Sequence, residues 1–329
     1  MERVAAVFRA PLVLLLRPLT GAAVVLDDSR DRSVGALRLR RAVASLLLAF
    51  GVVVVGRAVA AGQLPSLAEL LLVMLAVALL LNRGGRFVRD WLPVFAGALA
   101  YVISAGVVHK FALSVHYTPQ IDAEQALFGE TLPTVWLQSH LYDGTTGVLE
   151  VAATLVYVLH FIVPVVVAFL MWALWDRRGF VELFFGILLV TILGEITFVL
   201  APTAPPWLAA DEGLIPPVHD VIRQALFDMG MTPIAEEFHS SSYNTVAAIP
   251  SLHVAWPLIG LFVVVRNGFP RWLVAFQASF VLAVVLVIVY TGEHYFVDAI
   301  VGAAYAVVAW LIVRRALGPP RPAAQADGR

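Results

Sequence analysis

One short stretch of the chain, Ala248 to His253, places a proline, a serine and a histidine in an order that suits anion binding. Pro250 is a residue type favoured at the first position of a helix, and Ser251 follows it. A helix start presents unpaired backbone N–H groups and the positive end of the helix dipole, which together favour a bound phosphate. His253 could reach the same anion and donate a proton to a departing oxygen. The stretch therefore predicts a phosphate site with a general acid.

A second stretch, Thr291 to Asp298, contains a histidine and an aspartate four positions apart. On a helix, His294 and Asp298 would lie on one face and could form a hydrogen bond. A carboxylate on one imidazole nitrogen fixes the tautomer and leaves the other nitrogen free to attack. The pattern predicts a nucleophilic histidine that forms a phosphohistidine intermediate.

The side chains of His253, His294 and Asp298 are also types that bind metal ions. The proline and serine before His253 suit an oxyanion better than a metal, so we expect neither a metal nor another cofactor. The chain has no cysteine, which excludes disulfides, thiolate metal sites and cysteine nucleophiles.

The amino-acid composition indicates the kind of secondary structure that must position these residues. Of the 329 residues, 60% are hydrophobic and only 14% are charged, and the mean hydropathy is +0.87. Soluble domains contain roughly a quarter charged residues, so lipid is the main solvent of this chain. We therefore predict an all-α polytopic transmembrane bundle. Its expected partners are lipids and not nucleic acid.

Eight stretches approach the length of about 20 mostly apolar residues that spans the hydrocarbon. They are residues 42–62, 66–82, 91–113, 148–175, 180–201, 249–266, 272–291 and 293–313. We expect residues 1–41 to form a cytoplasmic or interfacial segment, 42–313 the transmembrane catalytic domain, and 314–329 a disordered cytoplasmic tail.

The arginines give these spans a direction, because short cytoplasmic loops are enriched in Lys and Arg. Arginine clusters precede the first span and follow the second, fourth, sixth and eighth, which puts them all on one side. The loops on the other side, 114–147 and 202–248, are rich in acidic and aromatic residues, and Arg223 is their only Lys or Arg. We expect a plasma-membrane protein with both termini in the cytoplasm. The two long loops would form an extracytoplasmic cap over the site, with short interfacial helices near 133–137 and 218–227.

Two motifs carry a resemblance to a known family. The sequence from Pro250 to His253 resembles the second motif of the type-2 phosphatidic acid phosphatase superfamily, P-S-G-H. His294 and Asp298 resemble the H-x-x-x-D end of its third motif. The resemblance covers roughly residues 85–313 and implies a six-helix core. It also implies that His294 is the nucleophile, Asp298 orients it and His253 is the general acid.

Two further segments resemble one branch of that superfamily, the inositol phosphorylceramide synthase-like enzymes. They are Pro202 to Trp207 and Gly292 to Tyr295. The superfamily's first motif, K-x6-R-P, is absent, and so is the Ser-Arg pair that often opens the third motif. The phosphate therefore lacks its usual cationic partners, and Lys110, the only lysine, and Arg57 are the candidate replacements. With Lys110, the expected substrate-binding residues are Ser251, Pro250, Thr203 and Glu293.

The sequence leaves several functions open. Transfer of a phosphoryl or inositol-phosphate-type group to an alcohol, such as inositol or another lipid, would make the protein a lipid phosphotransferase. Transfer to water would make it a phosphatase of polyprenyl or glycerolipid phosphates. A rival of another class is a transporter or lipid-binding protein in which His160, Glu195 and Lys110 line a path across the bilayer. A catalytically inactive relative of the superfamily is a further alternative.

Overall fold

The computed structural model describes residues 34–62, 67–108, 114–174, 177–237 and 245–318. These residues form helices and connecting loops, with two isolated bridges and no strand. The helices are α1 (Val34–Ala60), α2 (Leu67–Leu80), α3 (Gly84–Val108), α4 (Thr118–Phe128), α5 (Pro133–Leu141), α6 (Val148–Leu174), α7 (Arg177–Leu200), α8 (Pro206–Asp211), α9 (Val221–Asp228), α10 (Thr232–Glu237), α11 (Leu252–Arg266), α12 (Arg271–Tyr290) and α13 (Phe296–Leu317).

A helix forms at each of the eight predicted spans, which confirms the all-α class. Val148–Leu174, Arg178–Leu200, Arg271–Tyr290 and Phe296–Leu317 are long and apolar enough to cross a bilayer, and Ala44–Arg57, Glu69–Leu80 and Leu252–Arg266 are shorter apolar segments. Several bounds differ from the prediction. Helix α1 begins at Val34, α11 and α13 each begin three residues later than expected, and α13 continues to Leu317. Of the predicted tail, residues 319–329 lie outside the described residues.

The chain divides into two compact units, residues 1–101 and 102–329. In the first unit α1 packs along α2. Gly51 allows this close approach, because a Cβ there would lie 2.8 Å from the side chain of Val73. Near the start of α3, the Trp91 ring packs on Phe87 and on Phe95, with centroids 5.7 and 5.9 Å apart.

In the second unit α11 is the central helix, with contacts to α6, α7, α12 and α13. Two glycines of α7 bring that helix close to α11. A Cβ on Gly186 would lie 2.7 Å from Ile259, and one on Gly194 would lie 3.0 Å from Leu252. Because α11 begins at Leu252, this packing fixes the position of the stretch that carries Ser251 and His253.

The ends of three helices meet at the opposite end of α11. Glu182 of α7 is buried and accepts hydrogen bonds from Arg178 at 2.9 Å, Arg266 at 3.4 Å and Asn267 at 2.8 Å. Both arginines also donate to the carbonyl oxygen of Gly318, which follows α13. Since a buried carboxylate requires such partners, this network joins the ends of α7, α11 and α13.

The short helices α4, α5 and α8–α10 occupy the two long loops where a cap was expected. Helix α5 covers the predicted segment 133–137, and α9 lies mostly within the predicted segment 218–227. Apolar side chains from these loops form a small core with the start of α13; its members are Ile121, Leu132, Ala209, Ile215, Val218, Tyr295 and Val297. The loops therefore pack on the residues that directly follow His294.

Candidate active site

His294 lies in the turn between α12 and α13. Gly292 has a φ of +82°, which suits glycine, and the N–H of His294 donates to the carbonyl of Ile288 over 3.0 Å. Helix α13 begins two residues later, at Phe296, so the prediction that His294 lies on a helical face is wrong. The residue is 4% exposed. A turn, and not a helix, therefore presents this imidazole.

Two acceptors face Nδ1 of His294. The carbonyl oxygen of Ala248 is 3.0 Å away, and Oδ2 of Asp298 is 3.5 Å away. A carbonyl oxygen can only accept, so Nδ1 carries the proton and Nε2 carries the lone pair. Oδ2 of Asp298 also accepts from the N–H of Tyr295 at 2.9 Å, which fixes the carboxylate in the first turn of α13. The expected pairing of His294 with Asp298 thus exists, with Ala248 as the closer partner.

His253 lies in the first turn of α11 and faces His294 directly. Its Nδ1 is 2.9 Å from Nε2 of His294. Because Nε2 carries a lone pair, the network assigns the proton of this contact to Nδ1 of His253. The other nitrogen, Nε2 of His253, is buried and has no hydrogen-bond partner among the described residues. The structure therefore brings the two predicted histidines together in a geometry suited to one donor and one nucleophile.

Aromatic rings fix the orientation of the His253 ring. Tyr157 stacks on it with centroids 4.7 Å apart, and Phe161 meets it edge-on at 5.9 Å. The buried ring of His160 lies 4.5 Å from His253 and 5.1 Å from Trp256. His160 is thus part of the wall behind the histidine pair.

Ser251 and Pro250 precede α11, but not at the expected positions. Pro250 was predicted at the first helical position, yet α11 begins two residues later, because Ser251 is the N-cap residue. Ser251 is fully buried, makes no capping bond with its side chain, and its Oγ has no partner among the described residues. Its N–H donates to the carbonyl oxygen of Asp298 over 3.2 Å. The two motif segments are therefore joined through their backbones.

Thr203 shapes the loop that holds the carbonyl of Ala248. Its Oγ1 accepts from the N–H of Ile249 at 2.9 Å, and its own carbonyl accepts from the N–H of Ala248 at 3.2 Å. On the other side of Thr203, the backbone around this residue pairs with the backbone of His116. Thr203 is 5% exposed. Within this arrangement it positions the main-chain acceptor of His294.

Glu293 lies between the histidine pair and the cap. Its Oε2 accepts from the hydroxyl of Tyr157 at 3.4 Å, and Tyr157 stacks on His253. Burial raises the pKa of Glu293 well above its usual value, and the nearby carboxylate of Asp220 raises it further. The surroundings of Glu293 therefore favour the protonated, uncharged form of its carboxyl group.

A cavity of about 250 Å³ opens in the cap close to this turn. It is lined by Tyr142, His219, Asp220, Arg223, Gln224 and Phe227. Gln138 connects the cavity wall to the turn that carries His294, because its amide donates to the carbonyls of His219 and Tyr290, both at 2.9 Å. The lining combines one cation, one anion, an amide and an imidazole with two aromatic rings.

The structure does not place every predicted residue, and two residues that contribute to the site were not predicted. Lys110 lies outside the described residues, so the expected cation is not placed. Across the ranges that the structure covers, no group of three or more His, Asp or Glu side chains could hold a metal ion. Sequence reasoning missed Ala248, whose contribution is a main-chain carbonyl, and Glu124, which contacts the start of α13.

The bundle and its buried His–His–Asp group define a helical membrane protein with a site suited to phosphoryl transfer. The sequence profile of the PAP2 superfamily matches residues 121–312. The match covers more than half of the chain and contains all three of these residues. The protein therefore belongs to the PAP2 superfamily.

Curated relatives support the branch that the sequence resembled. A phosphoinositol dihydroceramide synthase of Bacteroides thetaiotaomicron is 28% identical over 50% of this chain and 55% of its own length. The inositol phosphorylceramide synthase catalytic subunit of Schizosaccharomyces pombe is 28% identical over 58% of this chain and 45% of its own. The inositol phosphorylceramide synthase of Candida albicans is 27% identical over 69% and 48%. The chain thus spans about half the length of these relatives. No solved structure matches.

Proposed function

We propose that the protein is a membrane lipid phosphotransferase that moves an inositol-phosphate-type head group from a phospholipid to an alcohol through a phosphohistidine at His294. The contact of 2.9 Å between Nδ1 of His253 and Nε2 of His294 carries this proposal. It pairs a proton donor with a nitrogen whose lone pair is fixed by the carbonyl of Ala248. Membership of the PAP2 superfamily and the names of the three relatives support the same reaction class.

In the first half-reaction Nε2 of His294 attacks phosphorus. A new N–P bond forms while the P–O bond to the departing lipid alcohol breaks. His253, as an imidazolium in the complex with the phosphate anion, gives its Nδ1 proton to that oxygen and becomes neutral, and Asp298 with Ala248 stabilises the positive charge on the His294 ring. In the second half-reaction His253 takes a proton from the acceptor hydroxyl, whose oxygen attacks phosphorus and releases His294.

Without substrate the two histidines contact each other, so phosphorus must come between them. Substrate binding then redirects the proton of His253 from the ring of His294 to the leaving oxygen. The start of α11 offers backbone N–H groups to the phosphate oxygens, and the buried hydroxyl of Ser251 has no partner competing for it among the described residues. Lys110 remains the proposed cation for this phosphate, and Pro250 sets the approach of the chain to α11.

We propose that the cap cavity beside the catalytic turn receives the polar head group. Its mixture of donors, acceptors and aromatic faces suits a neutral polyol better than a purely anionic or cationic group. The raised pKa of Glu293 favours the uncharged form of that carboxyl group next to the phosphate. If a polyol head group occupied this cavity, the phosphate attached to it would lie close to Glu293 and His294.

The arginine pattern supports one orientation of the site relative to the two sides of the membrane. We propose that the start of α11 and the turn before α13 face the extracytoplasmic side of the plasma membrane, with both termini in the cytoplasm. In that orientation a lipid enters the site from the side, through the bilayer. The arginines near the Glu182 network would then lie at the cytoplasmic surface.

A phosphatase is the second candidate, because the superfamily membership fits water as the acceptor equally well. The test uses detergent-purified wild type, His294→Ala, His253→Ala and the control His140→Ala, which removes an exposed histidine of α5. Each protein receives phosphatidylinositol, phosphatidic acid and a polyprenyl phosphate, with and without ceramide, and both free phosphate and new phospholipid are measured.

We expect a new inositol phospholipid from wild type and His140→Ala and none from the two site variants. Release of free phosphate without new lipid would show a phosphatase. Wild-type turnover in His294→Ala would refute the assigned nucleophile. No turnover by the wild type would contradict both enzymatic readings and favour the transporter or the inactive relative.

A further inference from the structure

One buried carboxylate outside the histidine group contacts the catalytic segment. Glu124 of α4 is 0% exposed, and its Oε1 accepts hydrogen bonds from two consecutive backbone N–H groups at the start of α13. The donors are Phe296 and, at 3.3 Å, Val297. These residues follow His294 by two and three positions. A short helix of the cap therefore forms hydrogen bonds with the segment between His294 and Asp298.

The same face of α4 makes two further contacts with this segment. Ile121, three residues before Glu124, packs in the small core with Tyr295 and Val297. Phe128, four residues after it, meets the ring of Phe296 edge-on with centroids 5.7 Å apart. Residues at these spacings lie on one side of a helix, so α4 presents a continuous surface to the start of α13.

These contacts matter because the first N–H groups of a helix have no partners within it. The N-cap residue of α13 is Tyr295, whose side chain cannot act as a serine or aspartate cap would. Asp298 accepts from the N–H of Tyr295, and Glu124 accepts from the next two N–H groups. Two carboxyl groups thus fix the backbone from Tyr295 to Val297, and Asp298 is one of the two.

We propose that Glu124 is a positioning residue for the reaction, which fixes the first turn of α13 and thereby the alignment of His294 with Asp298 and His253. This inference rests on the proposed function and deepens it, because it makes the cap part of the catalytic arrangement. Glu124 acts through an acceptor oxygen and not through contact with substrate. A misplacement of the nucleophile by a fraction of an ångström slows the chemical step more than it weakens substrate binding.

The surroundings of Glu124 agree with a role as acceptor. The ionisable groups that interact electrostatically with Glu124 include Asp298 and Tyr295 of the α13 segment. Burial raises the pKa of Glu124 to about 7, and the carboxylate of Asp298 adds to the effect. Much of the protein therefore carries a neutral carboxyl group here at neutral pH. Its carbonyl oxygen still accepts, so glutamine is a close substitute.

The experiment compares Glu124→Ala and Glu124→Gln with wild type and Asp122→Asn. Asp122 is an exposed acidic residue of the same helix, so its variant controls for lost charge on α4. For each protein kcat and KM are measured with phosphatidylinositol and ceramide. Hydrogen–deuterium exchange of the peptide covering residues 294–300 is measured without substrate.

We expect Glu124→Ala to lower kcat about ten- to hundredfold with KM changed less than about threefold. Exchange in the 294–300 peptide should be faster in this variant. Glu124→Gln and Asp122→Asn should keep kcat within about threefold of wild type and leave exchange unchanged, since the acceptor oxygen remains in both.

Wild-type kcat in Glu124→Ala would overturn the proposal, and so would a Glu124→Gln variant as slow as Glu124→Ala. If the wild type shows no turnover at all, the proposed function fails, and the exchange measurement still decides on Glu124. Unchanged exchange in Glu124→Ala would then overturn its positioning role.

Discussion

The backbone N–H of Ser251 donates to the backbone carbonyl of Asp298 over 3.2 Å. This bond joins the start of α11, which carries His253, to the first turn of α13, which carries Asp298. Gly302, four residues after Asp298, permits the approach, because a Cβ there would overlap the carbonyl oxygen of Ser251 and lie 3.2 Å from its nitrogen. The relative position of the two histidines thus depends on backbone contacts as well as on their own side chains.

Gly302→Ala should therefore damage both stability and turnover. The new methyl group must displace the Ser251 backbone, and such overpacking costs about 1–3 kcal/mol. We expect a lower thermal unfolding midpoint in detergent and a lower kcat. Gly56→Ala is the control, since a Cβ at that helical glycine meets nothing within 4 Å. Equal behaviour of the two variants would contradict the close approach.

Asp298→Asn tests the tautomer of His294. The amide oxygen can replace Oδ2 as the acceptor for the N–H of Tyr295, but an amide carries no charge to stabilise an imidazolium. We expect kcat to fall by roughly 10³–10⁴-fold while KM changes little, by analogy with other oriented histidines. Circular dichroism and the unfolding midpoint should stay close to wild type. A fall in kcat below tenfold would mean that Ala248 alone orients the ring.

Much of the fold followed from the sequence because long apolar segments are local signals. The helices at the eight predicted spans and those near 133–137 and 218–227 are of this kind. The bounds at the site were less accurate. Pro250 and His294 were assigned to helical positions, yet α11 begins after Ser251 and α13 begins after Tyr295. Cap residues belong to neither element, and periodicity does not distinguish them.

The rest of the site depends on contacts that a single sequence does not encode locally. The histidines and Asp298 were found by type and spacing. The carbonyl of Ala248 could not be found, because every residue carries a carbonyl. Glu124 could not be distinguished from other acidic residues of the loops, since its partners are backbone N–H groups 172 and 173 positions away. Thr203 was expected to contact substrate, and the structure shows its contacts with the Ala248 loop.

Thr203→Val should disturb the loop that carries Ala248. Valine has the same shape but no oxygen, so the N–H of Ile249 loses its acceptor at a cost of about 1–3 kcal/mol. We expect a lower unfolding midpoint and a lower kcat. Thr203→Ser keeps the oxygen and should recover most of both. If Thr203→Ser were as impaired as Thr203→Val, the lost methyl group and not the hydrogen bond would be responsible.

The stability of the protein should depend on pH through Glu124. Its pKa is about 7 in the folded protein against a usual 4.5, so the folded state binds this proton more tightly. The resulting stabilisation is complete below about pH 4.5, falls as pH rises towards 7, and is absent above it, a loss of roughly 3 kcal/mol. Unfolding midpoints of wild type and Glu124→Gln, measured from pH 4.5 to 8, isolate this contribution. The midpoint of the wild type minus that of Glu124→Gln should fall as pH rises over that window, because only the wild type loses stability there, and a constant difference would contradict the raised pKa.

Arg223→Ala tests the assignment of the cap cavity to the polar head group. Arg223 lines the cavity, and its removal takes away a donor without touching the histidine pair. A contact made equally in the ground and transition states affects binding alone, so we expect KM for phosphatidylinositol to rise about tenfold with kcat nearly unchanged. Arg271→Ala, which removes an exposed arginine at the start of α12, is the matched control. The effect should be smaller for phosphatidic acid, which has no polyol. An equal rise in KM for both lipids would show that Arg223 recognises the phosphate and would reassign the cavity to an anion.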